Sequence, residues 1–123
     1  MIHAISQIIT NSMEACINLN YQGKVTLLTT NFLDKNGIKN IQLEIKNNGA
    51  LIPEQIMNSV FEPYFSTKPN AAGLGLSVAK HIIEQNGGVI ELVSSSNVHK
   101  LHESTTNETI FKMVFKDFKK YER

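Results

Sequence analysis

The chain has 123 residues, enough to bury one hydrophobic core and too few for two domains of ordinary size. Its 12 basic and 11 acidic residues leave a formal charge of +1, so no broad field gathers nucleic acid or anionic lipid and any anion must be held locally. The single cysteine, Cys16, excludes an internal disulfide, and with no leader and no long uncharged apolar run the segment reads as cytoplasmic.

From Ile2 to Leu19, Ile5, Ile8, Ile9, Met13, Cys16 and Ile17 recur at helical spacing, while Gln7, Asn11, Glu14 and Asn18 share the opposite face. The pattern predicts a helix with an amide-rich polar side, with Met13 and Cys16 in the core. Val25 to Phe32 and Ile41 to Lys46 read as strands, joined by a turn at Asp34, Asn36 and Gly37. Pro53 to Val60 predicts a short helix with Met57 buried, and Phe61 to Ala72 reads as irregular. Leu74 to Gln85 predicts a second strong helix, with Leu76, Ala79 and Ile83 on one stripe and Asn86-Gly87-Gly88 stopping it. Val89 to Ser94 and Thr109 to Phe115 are strands, separated by a polar loop over residues 95–108. These elements point to an α+β, two-layer sandwich with helices on one face of a mixed, mostly antiparallel sheet, as a single domain over 1–123.

The most informative stretch is Asn70-Ala71-Ala72-Gly73-Leu74-Gly75-Leu76-Ser77, where two glycines sit at the start of a helix. Backbone amides there can approach a phosphate closely, and the helix N-terminus adds partial positive charge. Taken alone, Gly-Leu-Gly serves tight packing as readily as phosphate binding.

Four segments in one order resemble the ATP-binding domain of the GHKL family (Bergerat fold), shared by histidine kinases, type II topoisomerases, Hsp90 chaperones and mismatch-repair ATPases. Residues 7–15, QIITNSMEA, resemble the family's N box, and Asn47 to Pro53 its G1 box. Phe61 to Lys68 resembles the F box and Gly73-Leu74-Gly75-Leu76 the G2 box, in the style of the histidine-kinase branch. The resemblance implies a catalytic domain that binds ATP and Mg²⁺ and transfers the γ-phosphate to a histidine. That histidine would lie on a separate dimerisation hairpin, expected before this segment, and a response regulator would act downstream. The resemblance also implies a strand ahead of the N-box helix; none is seen, and the bare sheet edge this leaves suggests cover by a second chain.

Carried over residue by residue, Asn11 and Lys68 are the candidate catalytic groups, with Asn11 also the metal ligand. Gln7, Asn11, Glu14, Ala15, Asn47, Gly49, Leu51, Ile52, Phe61, Thr67, Lys68, Gly73, Leu74, Gly75 and Leu76 are the candidate nucleotide contacts. Asn11 would offer a carbonyl oxygen to a hard cation, and Lys68 a point charge to the terminal phosphates. Read without the resemblance, Asn11 and Glu14 are a solvated helix face and Lys68 a surface lysine. Phe61, Tyr64 and Phe65 serve equally as core aromatics.

The sequence departs from the family at three points. Asn47 stands where an aspartate accepts a hydrogen bond from adenine, Leu51 where a second glycine is usual, and Ala71 where another glycine is usual. Losing a charge-assisted buried bond costs on the order of 1–2 kcal/mol, roughly tenfold in affinity. Gln7 occupies the place of the glutamate that activates water in the hydrolytic branches, which argues against brisk hydrolysis and for transfer to another group. The alternatives are a degenerate scaffold with a decayed pocket, and relaxed base choice through donation from Asn47 to guanine.

Overall fold

The computed structural model describes residues 1–17, 19–20, 22–63, 65, 75–94 and 108–116. Helix α1 spans Ile2–Ala15 and α2 spans Gly75–Gln85. Four strands, β1 (Val25–Leu33), β2 (Lys39–Asn47), β3 (Gly88–Ser94) and β4 (Thr109–Lys116), form one sheet in the order β1-β2-β4-β3. Every described pairing is antiparallel, so the sheet carries no parallel pair among the described residues. The α+β, helices-on-sheet expectation is met.

Register explains where the core lies. Ile45, Phe111 and Leu92 stand opposite one another on β2, β4 and β3, and Leu43, Met113 and Ile90 form the neighbouring rung. Paired residues share a face of the sheet. Onto this face pack Ala4 and Ile8 from α1 and Ala79 and Ile83 from α2, all buried. The next rung, Asn47 opposite Thr109, is polar and equally buried. The apolar face thus ends in a polar step. The helical layer stops short of edge strand β1, where Leu27 stands opposite Ile45 yet remains 49% exposed.

Two elements are shorter than expected. Helix α1 ends at Ala15 instead of running to Leu19. There the backbone tightens into three-residue turns, with Cys16 N–H bonding Met13 C=O and Ile17 N–H bonding Glu14 C=O. The Ala15 carbonyl is diverted to the N–H of Ala50. A helix whose carbonyls are taken by a neighbouring loop cannot propagate. The segment 53–60 holds only a 3₁₀ turn at Glu54–Ile56, followed by further three-residue bonds such as Ser59 N–H to Ile56 C=O. The strands, by contrast, extend a little further than predicted.

Core membership on α1 also differs from expectation. The deepest line is Ala4, Ile8 and Ser12, spaced by four, while Met13 is 59% exposed and Cys16 and Met57 are only half-buried. Small residues let the helix axis approach the sheet, which turns the adjacent Ile5–Ile9–Met13 line toward the rim of the layer. The β1–β2 turn is set by Asp34, whose carboxylate accepts from the N–H groups of Asn36 and Ile38 and from the Asn40 amide. The Ile38 N–H is the main reason its acidity is increased, holding its carboxyl below the usual range. Gly37 adopts φ 77°, a conformation that favours glycine.

Candidate functional site

The polar face of α1 meets the first residue of α2. Gln7 donates from Nε2 to Asn11 Oδ1 at 3.0 Å, one turn later on the same helix. Gly75 opens α2 directly against the Gln7 amide: a Cβ there would lie 2.7 Å from Gln7 Cδ and Nε2. Only glycine fits at that distance without displacing the glutamine. Between the two helices lies an open groove of about 390 Å³, lined by residues that include His3, Ser6, Gln7, Thr10, Gly75 and Val78. It shares Gln7 and Gly75 with the expected nucleotide residues, but its lining includes neither Asn11 nor Asn47.

The C-terminal turn of α1 is fastened to the loop after β2. Ala50 N–H donates to the Ala15 carbonyl at 3.1 Å, and the Cα of Gly49 presses on that same carbonyl, where a Cβ would collide with it. Asn47, the last residue of β2, is 3% exposed, and its Oδ1 accepts from Gly49 N–H at 2.9 Å. Its neighbour Asn48 is structural: Oδ1 accepts from Lys24 N–H at 2.7 Å and Nδ2 donates to the Gln22 carbonyl. Phe61 packs edge-on against Phe111, centroids 6.2 Å apart, and Lys80 Nζ sits 5.5 Å above the Phe61 ring. This arrangement brings the 7–15, 47–52 and 75–76 segments to one end of the helix–sheet layer, with Phe61 anchored in the core beside it.

Residues 1–117 match the family described as histidine kinase-, DNA gyrase B-, and HSP90-like ATPase. The chain belongs to that family. Among relatives of this ATPase domain, the sensor histidine kinase ZraS of Salmonella typhi is 31% identical over 91 residues, covering 73% of this chain and 19% of that protein. Sporulation kinase A of Bacillus subtilis is 41% identical over 54 residues, covering 44% of this chain and 9% of that protein. The matched stretch is therefore a small part of either kinase. The catalytic domain of histidine kinase ThkA superposes with a TM-score of 0.68 at 25% identity, covering 92% of this chain and 63% of that one. The mycobacterial sensor histidine kinase MprB shares the fold, with a TM-score of 0.72 at 22% identity over 93% of this chain and 68% of that one. The chain thus aligns with the catalytic domain of ThkA over most of its own length.

Within the ATPase domain, Gln7, Asn11 and Gly75 converge, as do Ala15, Gly49 and Asn47. Leu51, Ile52 and Leu76 are half-buried and Glu14 is exposed on the polar face of α1. Thr67, Lys68, Gly73 and Leu74 lie outside the described residues, as do Tyr64 and Ala71. Two polar residues at this end escaped the sequence reading. Thr109, paired with Asn47, and Ser12, on the buried line of α1, each bury a hydroxyl with no hydrogen-bond partner among the described residues. Spacing of four from Ala4 and Ile8 was the available signal for Ser12. Among the described residues no cluster of three or more His, Cys, Asp or Glu side chains could hold a metal by itself. Asn11 Oδ1 has a second lone pair beside the one used by Gln7, which suits a cation that takes few protein oxygens and completes its shell with phosphate and water. No helix among the described residues is long and apolar enough to cross a membrane.

Proposed function

We propose that this chain binds ATP with Mg²⁺ and presents the γ-phosphate to a histidine on a separate dimerisation domain, as the cytoplasmic catalytic domain of a two-component sensor kinase with a response regulator downstream. The observation that carries this reading is the contact of Gln7 with Gly75, which sets the Gln7–Asn11 amide pair at the N-terminus of α2. A helix N-terminus attracts phosphate through its unpaired N–H groups and dipole. Asn11, with phosphate oxygens, would hold Mg²⁺, which when bound neutralises charge on the terminal phosphates. Gln7 orients Asn11 and, as an amide, cannot take a proton from water at neutral pH, so hydrolysis is disfavoured relative to transfer. Lys68 is assigned to charge neutralisation on the terminal phosphate by its place in the sequence at the end of the F box, ahead of Gly73.

Calorimetric titration with Mg-ATP, repeated on Asn11→Ala, tests the binding step. Heat that disappears in the variant supports the reading; no heat at millimolar nucleotide from a folded sample sinks it. Transfer is then tested by mixing the chain with γ-labelled ATP and a histidine-bearing hairpin domain, looking for an acid-labile label on the hairpin. A second reading, a scaffold with a decayed pocket, is favoured by one observation: the Asn47 oxygen is already engaged by Gly49. The same titration separates the two.

A further inference from the structure

At Asn47, where the family resemblance implies that the base is recognised, the side chain offers a donor in place of an acceptor. Asn47 is buried, and its Oδ1 accepts the Gly49 N–H at 2.9 Å. A backbone N–H can be matched only by the oxygen of the amide, so this bond decides which way the side chain is flipped. Nδ2 is therefore the end turned away from Gly49, and it donates to no described residue. A carboxylate at this position would keep the Gly49 bond with one oxygen and present the other as an acceptor. The amide presents an N–H instead.

Two more polar groups stand at the same end. Thr109, directly opposite Asn47 in the sheet and 2% exposed, has a hydroxyl without a partner among the described residues. Ser12, on the α1 line facing the sheet and one turn before the Ala15 carbonyl that holds Ala50, buries a second such hydroxyl. Buried hydroxyls left unpaired cost free energy unless a ligand or water satisfies them. A hydroxyl accepts or donates as its partner requires; the Asn47 Nδ2 only donates.

We propose that this polar rung recognises a 6-oxopurine, hypoxanthine or guanine, in preference to adenine. The inference rests on the nucleotide-binding reading above and concerns the base alone. The O6 carbonyl accepts from Asn47 Nδ2, and the adjacent N1–H donates to Thr109 Oγ1. Adenine carries an amino group at position 6, so it sets donor against donor at Asn47; the Thr109 hydroxyl serves either base, accepting from N1–H of a 6-oxopurine or donating to N1 of adenine, and the discrimination lies at Asn47. Inosine triphosphate is the clean probe, since it differs from ATP only along this edge.

The test is calorimetric titration of the chain, and of Asn47→Asp, with ITP, GTP and ATP, each with Mg²⁺, and with circular dichroism confirming that both proteins are folded. ITP binding at least about tenfold tighter than ATP to the parent chain, with the order reversed in Asn47→Asp, is the expected result. ATP binding as tightly as ITP or tighter to the parent chain overturns the inference and leaves the nucleotide-binding reading standing. Binding of ATP to Asn47→Asp with no ITP binding to the parent chain also overturns it. Absence of binding by all three nucleotides to both folded proteins removes the nucleotide-binding reading itself, and the inference with it.

Discussion

Gln7 Nε2 donates to Asn11 Oδ1 across one turn of α1, and the same Gln7 amide rests on the backbone of Gly75 at the start of α2. One side chain therefore ties the candidate metal ligand to the candidate phosphate-binding helix. Gln7→Leu keeps much of the bulk and removes the donor. We expect the apparent Mg²⁺ requirement for nucleotide binding to weaken roughly tenfold, the size usual when a group that orients a metal ligand is lost. Calorimetry at fixed nucleotide over a range of Mg²⁺ reads this directly. Nucleotide affinity in EDTA should barely change, and an equal loss with and without the metal would show that Gln7 acts by packing alone.

Thr109 gives a prediction with two readouts of opposite sign. Its hydroxyl is buried without a partner among the described residues, so Thr109→Val replaces a polar atom by a methyl of similar shape. In the absence of nucleotide this should stabilise the chain, by about 1 kcal/mol in urea denaturation. The same change removes the hydroxyl proposed to meet the purine N1 and should weaken ITP and ATP binding alike, several-fold, because the hydroxyl accepts from N1–H of the one and donates to N1 of the other. A variant that loses stability without ligand would mean that the hydroxyl is already satisfied.

Asp34 predicts an acid-sensitive contribution far from the nucleotide end. Its carboxyl is held below the ordinary range first by the Ile38 N–H, then by the Asn40 amide, the Asn36 N–H and the charge of Lys116, with desolvation opposing. A carboxyl whose acidity is greater in the folded state stabilises the fold at pH values above its unfolded pKa. That contribution is lost as the pH falls through the folded value. Urea unfolding from pH 7 down to pH 2.5 should therefore show a steeper acid loss for the parent chain than for Asp34→Asn, which keeps an acceptor for Ile38 but does not titrate. Parallel curves would remove Asp34 from the acid transition. Nucleotide affinity should be unaltered in Asp34→Asn.

The elements were legible because both periodicities are strong: Ile41, Leu43 and Ile45 alternate on β2, and Ala79 and Ile83 keep helical spacing on α2. The N-box and G2 residues could be named in advance because an amide face and a Gly-Leu-Gly turn are local patterns that, taken in order with the other segments, resemble the family's boxes. What sequence did not give was the depth of each stripe on α1. Ile5–Ile9–Met13 and Ala4–Ile8–Ser12 are adjacent lines of a single helix, and apolar content favours the first. The sheet selects the second, because Ala4 and Ser12 permit closer approach. Thr109 was hidden for a related reason: its pairing with Asn47 is a contact across 62 residues of chain, visible only once the β2–β4 register is known. The end of α1 depended likewise on a distant donor, the Ala50 N–H.

That last contact yields the sharpest test of how the site is assembled. Gly49 lies against the Ala15 carbonyl so closely that a Cβ would meet its backbone atoms, which cannot swing aside as a flexible side chain would. Gly49→Ala must therefore push the β2–α1 junction apart, lengthening the Ala50–Ala15 hydrogen bond and withdrawing the Gly49 N–H from Asn47 Oδ1. The expected cost is about 1–3 kcal/mol of stability, in the range of overpacking a tight contact. Once its N–H partner moves, the Asn47 amide is no longer held in one orientation, so the preference of ITP over ATP should narrow in this variant even where total affinity falls. Gly37→Ala is the control: it burdens a glycine whose φ is positive, as that of Gly49 is not, but has open space around its Cβ, and it sits in the β1–β2 turn. It should lower stability by about 1 kcal/mol and leave nucleotide preference unchanged. If both glycine variants shifted base preference alike, the effect would follow global destabilisation and not the orientation of Asn47.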